Sequence, residues 1–175
     1  IFQPDAGAGR WLRVYSGAVN VRWFGAKGDD DGLGGGTDDA AAFYAAYAAA
    51  IAGGTDAFIP AGTYRLGSGL TRSISAHARL PMVYGDGDST ILVFDFADGN
   101  PLFKVENTVA SKFSSGGGFA RFKVVPGAGL AADSQGAVIQ ISGWTYGQIR
   151  SITIDGVKGD GIYVPDRSGT FANPD

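Results

Sequence analysis

The sequence predicts a mainly β fold in which short strands stack behind a single N-terminal helix. An Ala-rich segment near the N-terminus carries the signals that start and stop a helix. The rest of the chain consists of short runs in which apolar and polar residues alternate. Glycine contributes 29 of the 175 residues without a regular period, which indicates many tight turns between those runs.

The helix is expected over residues 38–52. Thr37 follows three glycines, so its hydroxyl is expected to cap free backbone NH groups, and the next two aspartates suit the positive end of the helix dipole. Two glycines at 53 and 54 supply the stop. An apolar stripe with a four-residue spacing consists of Phe43, Tyr47 and Ile51.

Short strands are predicted after the helix because apolar residues there recur at every second position. The first two are Ala57 to Ile59 and Tyr64 to Leu66. Seven more are Arg79 to Tyr84, Thr90 to Asp95, Leu102 to Val105, Phe119 to Val125, Ala137 to Ser142, Ile149 to Asp155 and Gly161 to Val164.

An approximate internal similarity indicates that these strands stack. The segment FKVVPG (122–127) resembles ITIDG (152–156) at an offset of about thirty residues, and VIQIS (138–142) resembles GIYVP (161–165) at about twenty-three. Such offsets suit a β-solenoid better than the blades of a propeller. A β-sandwich would show similar alternation and stays open as an alternative at this point.

Composition excludes several classes of function. The net charge is −3, the pI is about 5.0 and no basic run occurs, which argues against nucleic-acid binding. The chain has no cysteine and one histidine, His77, so we expect neither a structural zinc site nor a thiol nucleophile. No apolar run is long enough to span a membrane. The Asp29–Asp31 run is interpreted as a solvated turn, and no metal or cofactor is expected.

Four segments resemble a known family. In chain order between residues 21 and 92, VRWFGAKGD, TDD, FIPAGTY and VYGDGDSTIL are similar to the opening module of the pectate-lyase-like right-handed parallel β-helix superfamily. The chain departs from that pattern by a longer Gly/Asp loop (29–36) and by Ala61, where a second proline is usual. The upstream segment GRWLRVYSGAVNVRWFGA (9–26) is similar to bacteriophage tailspike and tail-fibre proteins.

The resemblance implies a right-handed parallel β-helix with an N-terminal capping helix. Residues 1–20 would form a lead-in element, and residues 21–175 a β-helix domain truncated at its C-terminus. Tailspikes of this kind lie in the virion tail as homotrimers beside other tail proteins, and they recognise or depolymerise host surface polysaccharide. Two alternatives stay open: a secreted cellular polysaccharide lyase or glycoside hydrolase of the same fold, and a non-catalytic structural or adhesion protein.

Candidate site residues cluster in the last third of the chain. Asp155 and Asp160 are the candidate catalytic carboxylates, since glycan hydrolysis uses two carboxyl groups and β-elimination uses a base beside a cation or an arginine. Turn formation also accounts for both residues. Trp144 and Tyr146 are the candidate substrate-binding residues, because aromatic rings stack on sugars as well as on neighbouring subunits. Whether the protein is an enzyme stays open at this point.

Overall fold

The computed structural model describes residues 2–4, 11–13, 16–74, 79–107, 114–128 and 135–165. It contains one α-helix, α1 (Ala40–Gly53), and two 3-10 helices, Val21–Phe24 and Gly87–Ser89. The strands are β1 (Phe2–Pro4), β2 (Trp11–Arg13), β3 (Val19–Asn20), β4 (Ala57–Ile59), β5 (Gly62–Leu66), β6 (Leu70–Ile74), β7 (Met82–Gly85), β8 (Thr90–Phe94), β9 (Phe103–Asn107), β10 (Ser114–Ser115), β11 (Gly118–Pro126), β12 (Ile139–Ser142), β13 (Trp144–Thr145), β14 (Gln148–Ile154) and β15 (Ile162–Tyr163).

Parallel pairing dominates the described strands. The principal sheet has seven strands in the order β3-β4-β7-β11-β8-β5, with β14 paired to β11 off this path. A second sheet has four strands in the order β15-β12-β9-β6. Two small sheets complete the described part: β10 with β13, and the antiparallel pair of β1 with β2.

The prediction of a right-handed parallel β-helix is wrong. In its described ranges the chain is mainly parallel β with one short α-helix, and its principal sheet curls as a half-barrel instead of forming a clear solenoid. Strand β11 is the physical reason: its first three residues pair with β7, and its last four pair with β8. These pairings join two sets of strands into one continuous curled sheet, which local sequence alternation does not reveal.

The predicted offsets between stacked strands are confirmed. Phe122 pairs in register with Ile152, and Ile139 pairs with Ile162, as the two internal similarities indicated. All nine predicted strands occur, the first with the predicted ends and the other eight with at least one end shifted. Strand β6 was not predicted, because Arg72 interrupts its apolar pattern at a position opposite Val105.

The helix forms where the sequence predicts it, but its N-terminus is built differently. Thr37 does not cap α1; its hydroxyl donates to the Asp29 carboxylate at 3.0 Å. Asp38 instead accepts a hydrogen bond from the backbone NH of Ala40 at 3.0 Å. At the other end, Gly54 has a φ of 61° and its NH donates to two helix carbonyls, which confirms the predicted glycine stop.

Asp39 joins the start of the helix to the preceding loop. Its buried carboxylate accepts hydrogen bonds from the backbone NH groups of Lys27 at 2.7 Å and Gly28 at 3.0 Å. Burial raises the pKa of this carboxyl, and the two hydrogen bonds oppose that rise. Asp30 organises the Gly/Asp loop in a similar way, because its carboxylate accepts three NH groups of that loop.

The core lies between the two sheets, and α1 covers one end of it. The helix residues that are fully buried are Ala40, Phe43, Ala46 and Ala50, so the buried stripe is rotated from the predicted one. Tyr47 is partly buried and packs against this core. Aromatic rings join the sheets, because Phe103 of β9 lies 4.8 Å from Phe119 of β11 between ring centroids.

Candidate functional site

An open groove of about 400 Å³ crosses the outer face of the principal sheet. We call it the arginine groove. Its lining residues are Asp56, Arg79, Met82, Tyr84, Gly116, Gly117, Ala120, Arg121, Tyr146, Gln148 and Arg150. A second space, between α1 and the sheets, is apolar and of about 10 Å³, which is too small for a ligand larger than water.

Part of the groove is lined by a row of three cross-strand neighbours in which a small residue lies between two large ones. Tyr84 of β7, Ala120 of β11 and Arg150 of β14 are direct neighbours in register, so they share one face. Ala120 is the smallest of the three, and it lines the groove while being itself almost fully buried. On the far side of Tyr84, Phe58 extends this row, with its ring centroid 5.3 Å from that of Tyr84.

Positive charge dominates the groove. Among the residues that the structure describes, three arginines and one carboxylate line it. That carboxylate, Asp56, is already engaged: it accepts the backbone NH of Met82 at 3.0 Å and forms an ion pair with Arg79 at 3.4 Å. Within the described part of the chain, neither Arg121 nor Arg150 forms an ion pair with a carboxylate. The groove therefore offers two guanidinium groups to an anion.

Two residues of the groove have unusual backbone conformations. Arg121 has a φ of 60° and Tyr146 a φ of 55°, in a region that non-glycine residues rarely occupy. Ser151, next to Arg150, has a φ of 52° and lies at the level of Arg121, since β11 and β14 pair at a constant offset. Both strands thus bend at the same level, and this bend accompanies the change of β11 from pairing with β7 to pairing with β8.

Glycine is required where the sheet turns this corner. A Cβ on Gly85, at the end of β7, would lie 2.5 Å from the carbonyl oxygen of Arg121. A Cβ on Gly117, in the floor of the groove, would lie 2.3 Å from the carbonyl oxygen of Leu80. The close approach of the backbones at both positions fixes the shape of the groove.

The two aromatic candidates lie in different environments. Tyr146 is 90% exposed and lines the groove. Trp144 packs inward: its indole NH donates to the Gly116 carbonyl at 2.8 Å, and its ring meets Phe119 edge to face at 6.2 Å. The structure thus brings Tyr146, but not the Trp144 ring, to the groove, and sugar binding by either stays a prediction.

The two acidic candidates lie outside the groove lining. Asp155 is exposed and forms an ion pair with Lys123 at 2.9 Å. Asp160 is also exposed, and its backbone carbonyl accepts the NH of Val138 at 2.8 Å. Their catalytic role stays a prediction. His77 lies outside the described residues.

Sequence reasoning missed most of the groove. Arg79, Arg121 and Tyr84 were not singled out, because they belong to separate strands that only the sheet register brings together. One signal was available: the confirmed offset of about thirty residues places Ala120 beside Arg150, a small residue next to a long cationic one. That pattern, applied to the stacked strands, would have indicated a depression beside an arginine.

The described ranges contain neither a cluster of metal-binding side chains nor a membrane-spanning helix. These ranges contain no group of three or more His, Cys, Asp or Glu residues that could hold a metal ion. Within the same ranges, no helix is long and apolar enough to cross a membrane.

Comparison with known proteins yields two structural neighbours. No family model and no curated protein matches the sequence. The ORF18 protein of Geobacillus virus E2 matches 83% of this chain with a TM-score of 0.53 and 19% identity. The catalytic domain of Agl-KA matches 87% with a TM-score of 0.43 and 18% identity, which is too distant to support a conclusion. The chain spans 30% of the first neighbour and 35% of the second. The first likeness shows a shared fold with a bacteriophage protein.

Proposed function

We propose that this chain is part of a bacteriophage tailspike or tail fibre and binds a host surface polysaccharide in the arginine groove. The groove carries the proposal, because it is open, of a size to accept sugar rings, and lined by both aromatic and hydrogen-bonding side chains. The fold shared with a viral protein supports a place in the virion tail. The homotrimer that the sequence resemblance implies stays a prediction.

Binding, not hydrolysis, is the activity proposed for this groove. Glycoside hydrolysis uses two carboxyl groups placed on either side of the scissile bond. Among the described residues, the groove has one carboxylate, and Asp56 already binds Arg79 and the Met82 backbone. The groove is thus equipped to hold a polysaccharide chain rather than to hydrolyse it.

Tyr146→Ala should weaken polysaccharide binding about threefold to tenfold, because it removes the most exposed ring of the groove. Binding is measured by isothermal calorimetry against polysaccharides purified from the surface of candidate host bacteria. Tyr146→Phe should retain most of the affinity, since the ring remains. Tyr44→Ala is the matched control, because Tyr44 is 51% exposed on α1 and outside the groove lining. An equal loss in the two alanine variants would contradict the proposal.

A further inference from the structure

Two guanidinium groups of the arginine groove form no ion pair with a carboxylate from the described part of the chain. They belong to Arg121 and Arg150, both exposed, on neighbouring strands. The chain has a net charge of −3, so a cluster of three arginines around one engaged carboxylate is a local reversal of its overall charge. Arginines placed in this way match the geometry of carboxylate and phosphate oxygens.

The position of Arg121 adds a second, independent observation. Arg121 keeps a left-handed backbone at φ 60°, where glycine would be the less strained choice. Residues in such conformations cost free energy and cluster at ligand-binding sites, where the surrounding structure holds them in place. Here the change of β11 from pairing with β7 to pairing with β8 fixes the backbone of Arg121. Arg121 lines the groove beside β14, the strand that carries Arg150.

We infer that the arginine groove selects anionic polysaccharides, with Arg121 and Arg150 together binding the oxyanion of one sugar unit. This inference rests on the proposed function and names its substrate class. The oxyanion is a uronate or sialate carboxylate, or a phosphate between sugar or polyol units. Tyr146 stacks on a ring next to the charged unit, and Gln148 supplies hydrogen-bonding groups between Tyr146 and Arg150 along the chain.

The test compares polymers that differ in charge. Hyaluronan and polysialic acid supply carboxylates, ribitol-phosphate teichoic acid supplies phosphates, and carboxyl-reduced hyaluronan supplies a neutral chain of the same linkage. We expect the wild-type chain to bind at least one anionic polymer at least about tenfold more tightly than reduced hyaluronan. This binding should weaken as salt rises, because exposed charges are screened. Preference among the anionic polymers separates the carboxylate from the phosphate.

Variants assign the selectivity to the two arginines. The double variant Arg121→Gln/Arg150→Gln should lose the preference for the anionic polymer by about tenfold and keep its affinity for the reduced one. The single variant Arg150→Lys should keep only part of the preference for the anionic polymer, since an ammonium group cannot form a bidentate contact. Lys158→Gln, an exposed cation outside the groove lining, is the charge-matched control and should keep the preference.

The outcomes separate the two proposals. Equal binding of anionic and reduced polymers would overturn the inference and leave polysaccharide binding in place. A preference that survives the double variant would also overturn it. Binding to none of the host-derived or purified polymers would overturn the proposed function and the inference with it.

Discussion

Phe122→Ala should lower the free energy of unfolding by about 3 to 5 kcal/mol. Phe122 is fully buried in β11, the strand that joins both halves of the principal sheet, and its ring lies 5.9 Å from that of Phe103 in the other sheet. Removal of the ring leaves a cavity at the junction of the two sheets, where neighbouring strands cannot move in to fill it. Urea denaturation followed by circular dichroism measures the loss.

The adjacent residue provides the control for this prediction. Lys123→Ala should cost less than about 1 kcal/mol, because the Lys123 side chain is partly exposed and its ion pair with Asp155 lies at the surface. If Phe122→Ala does not fold, Phe122→Leu should fold with a smaller loss than Phe122→Ala is predicted to cause. Equal losses in the phenylalanine and lysine variants would contradict the inward position of Phe122.

Tyr47→Phe should remove a loss of stability at high pH. Burial raises the pKa of Tyr47 to about 12, from the ordinary value of 10.0. Below pH 10 the phenol is neutral in both folded and unfolded chains, so it has no effect. Between pH 10 and 12 the unfolded chain ionises first. The free energy of unfolding then falls by about 1.4 kcal/mol per pH unit, or about 2 to 3 kcal/mol in total.

Urea denaturation at several pH values between 8 and 12 tests this prediction. The stability of Tyr47→Phe relative to wild type should rise across the upper half of that range, because the other ionisable groups are common to both proteins. Tyr44→Phe is the control from the same helix, since it removes the same hydroxyl from a ring that is half exposed. Parallel curves for both variants would mean that the Tyr47 hydroxyl is solvated.

Local patterns in the sequence predicted the elements of this fold well. The alternation around Lys123 predicted a strand with Phe122 and Val124 inward, and both are fully buried. The likeness of residues 122–127 to 152–156 predicted the parallel register that pairs Phe122 with Ile152. Both predictions are confirmed because side-chain alternation and strand stacking depend on residues that are close in sequence or that repeat at a fixed offset.

The arrangement of the strands was not predictable in the same way. The curl of the principal sheet depends on β11 pairing with β7 and β8 in turn, and on the left-handed backbone of Arg121 and Ser151 at the bend. Neither residue type signals that conformation, as glycine or asparagine would. The prediction that Thr37 caps the helix was wrong for a related reason. The Thr37 hydroxyl donates to Asp29, which lies in a loop whose path cannot be predicted from neighbouring residues alone.

The site was predicted least completely. Tyr146 was singled out because an exposed aromatic residue in a turn is conspicuous, but Arg79 and Arg121 were not. Arg79, Arg121 and Arg150 are spread over some seventy residues and converge only through the register of β11 with its neighbours. Electrostatic sites of this kind follow from topology, and the topology was the part of the prediction that was wrong.

We propose that a polysaccharide binds in the arginine groove, and chemical-shift mapping shows directly whether it does. Backbone amide resonances of the labelled chain are followed while an oligosaccharide of the best-binding polymer is added. We predict that the largest shifts occur at Tyr84, Ala120, Tyr146, Gln148 and Arg150. Shifts confined instead to the depression of about 380 Å³ beside the start of α1, lined by Asp38, Tyr44 and Ser68, would contradict the claim.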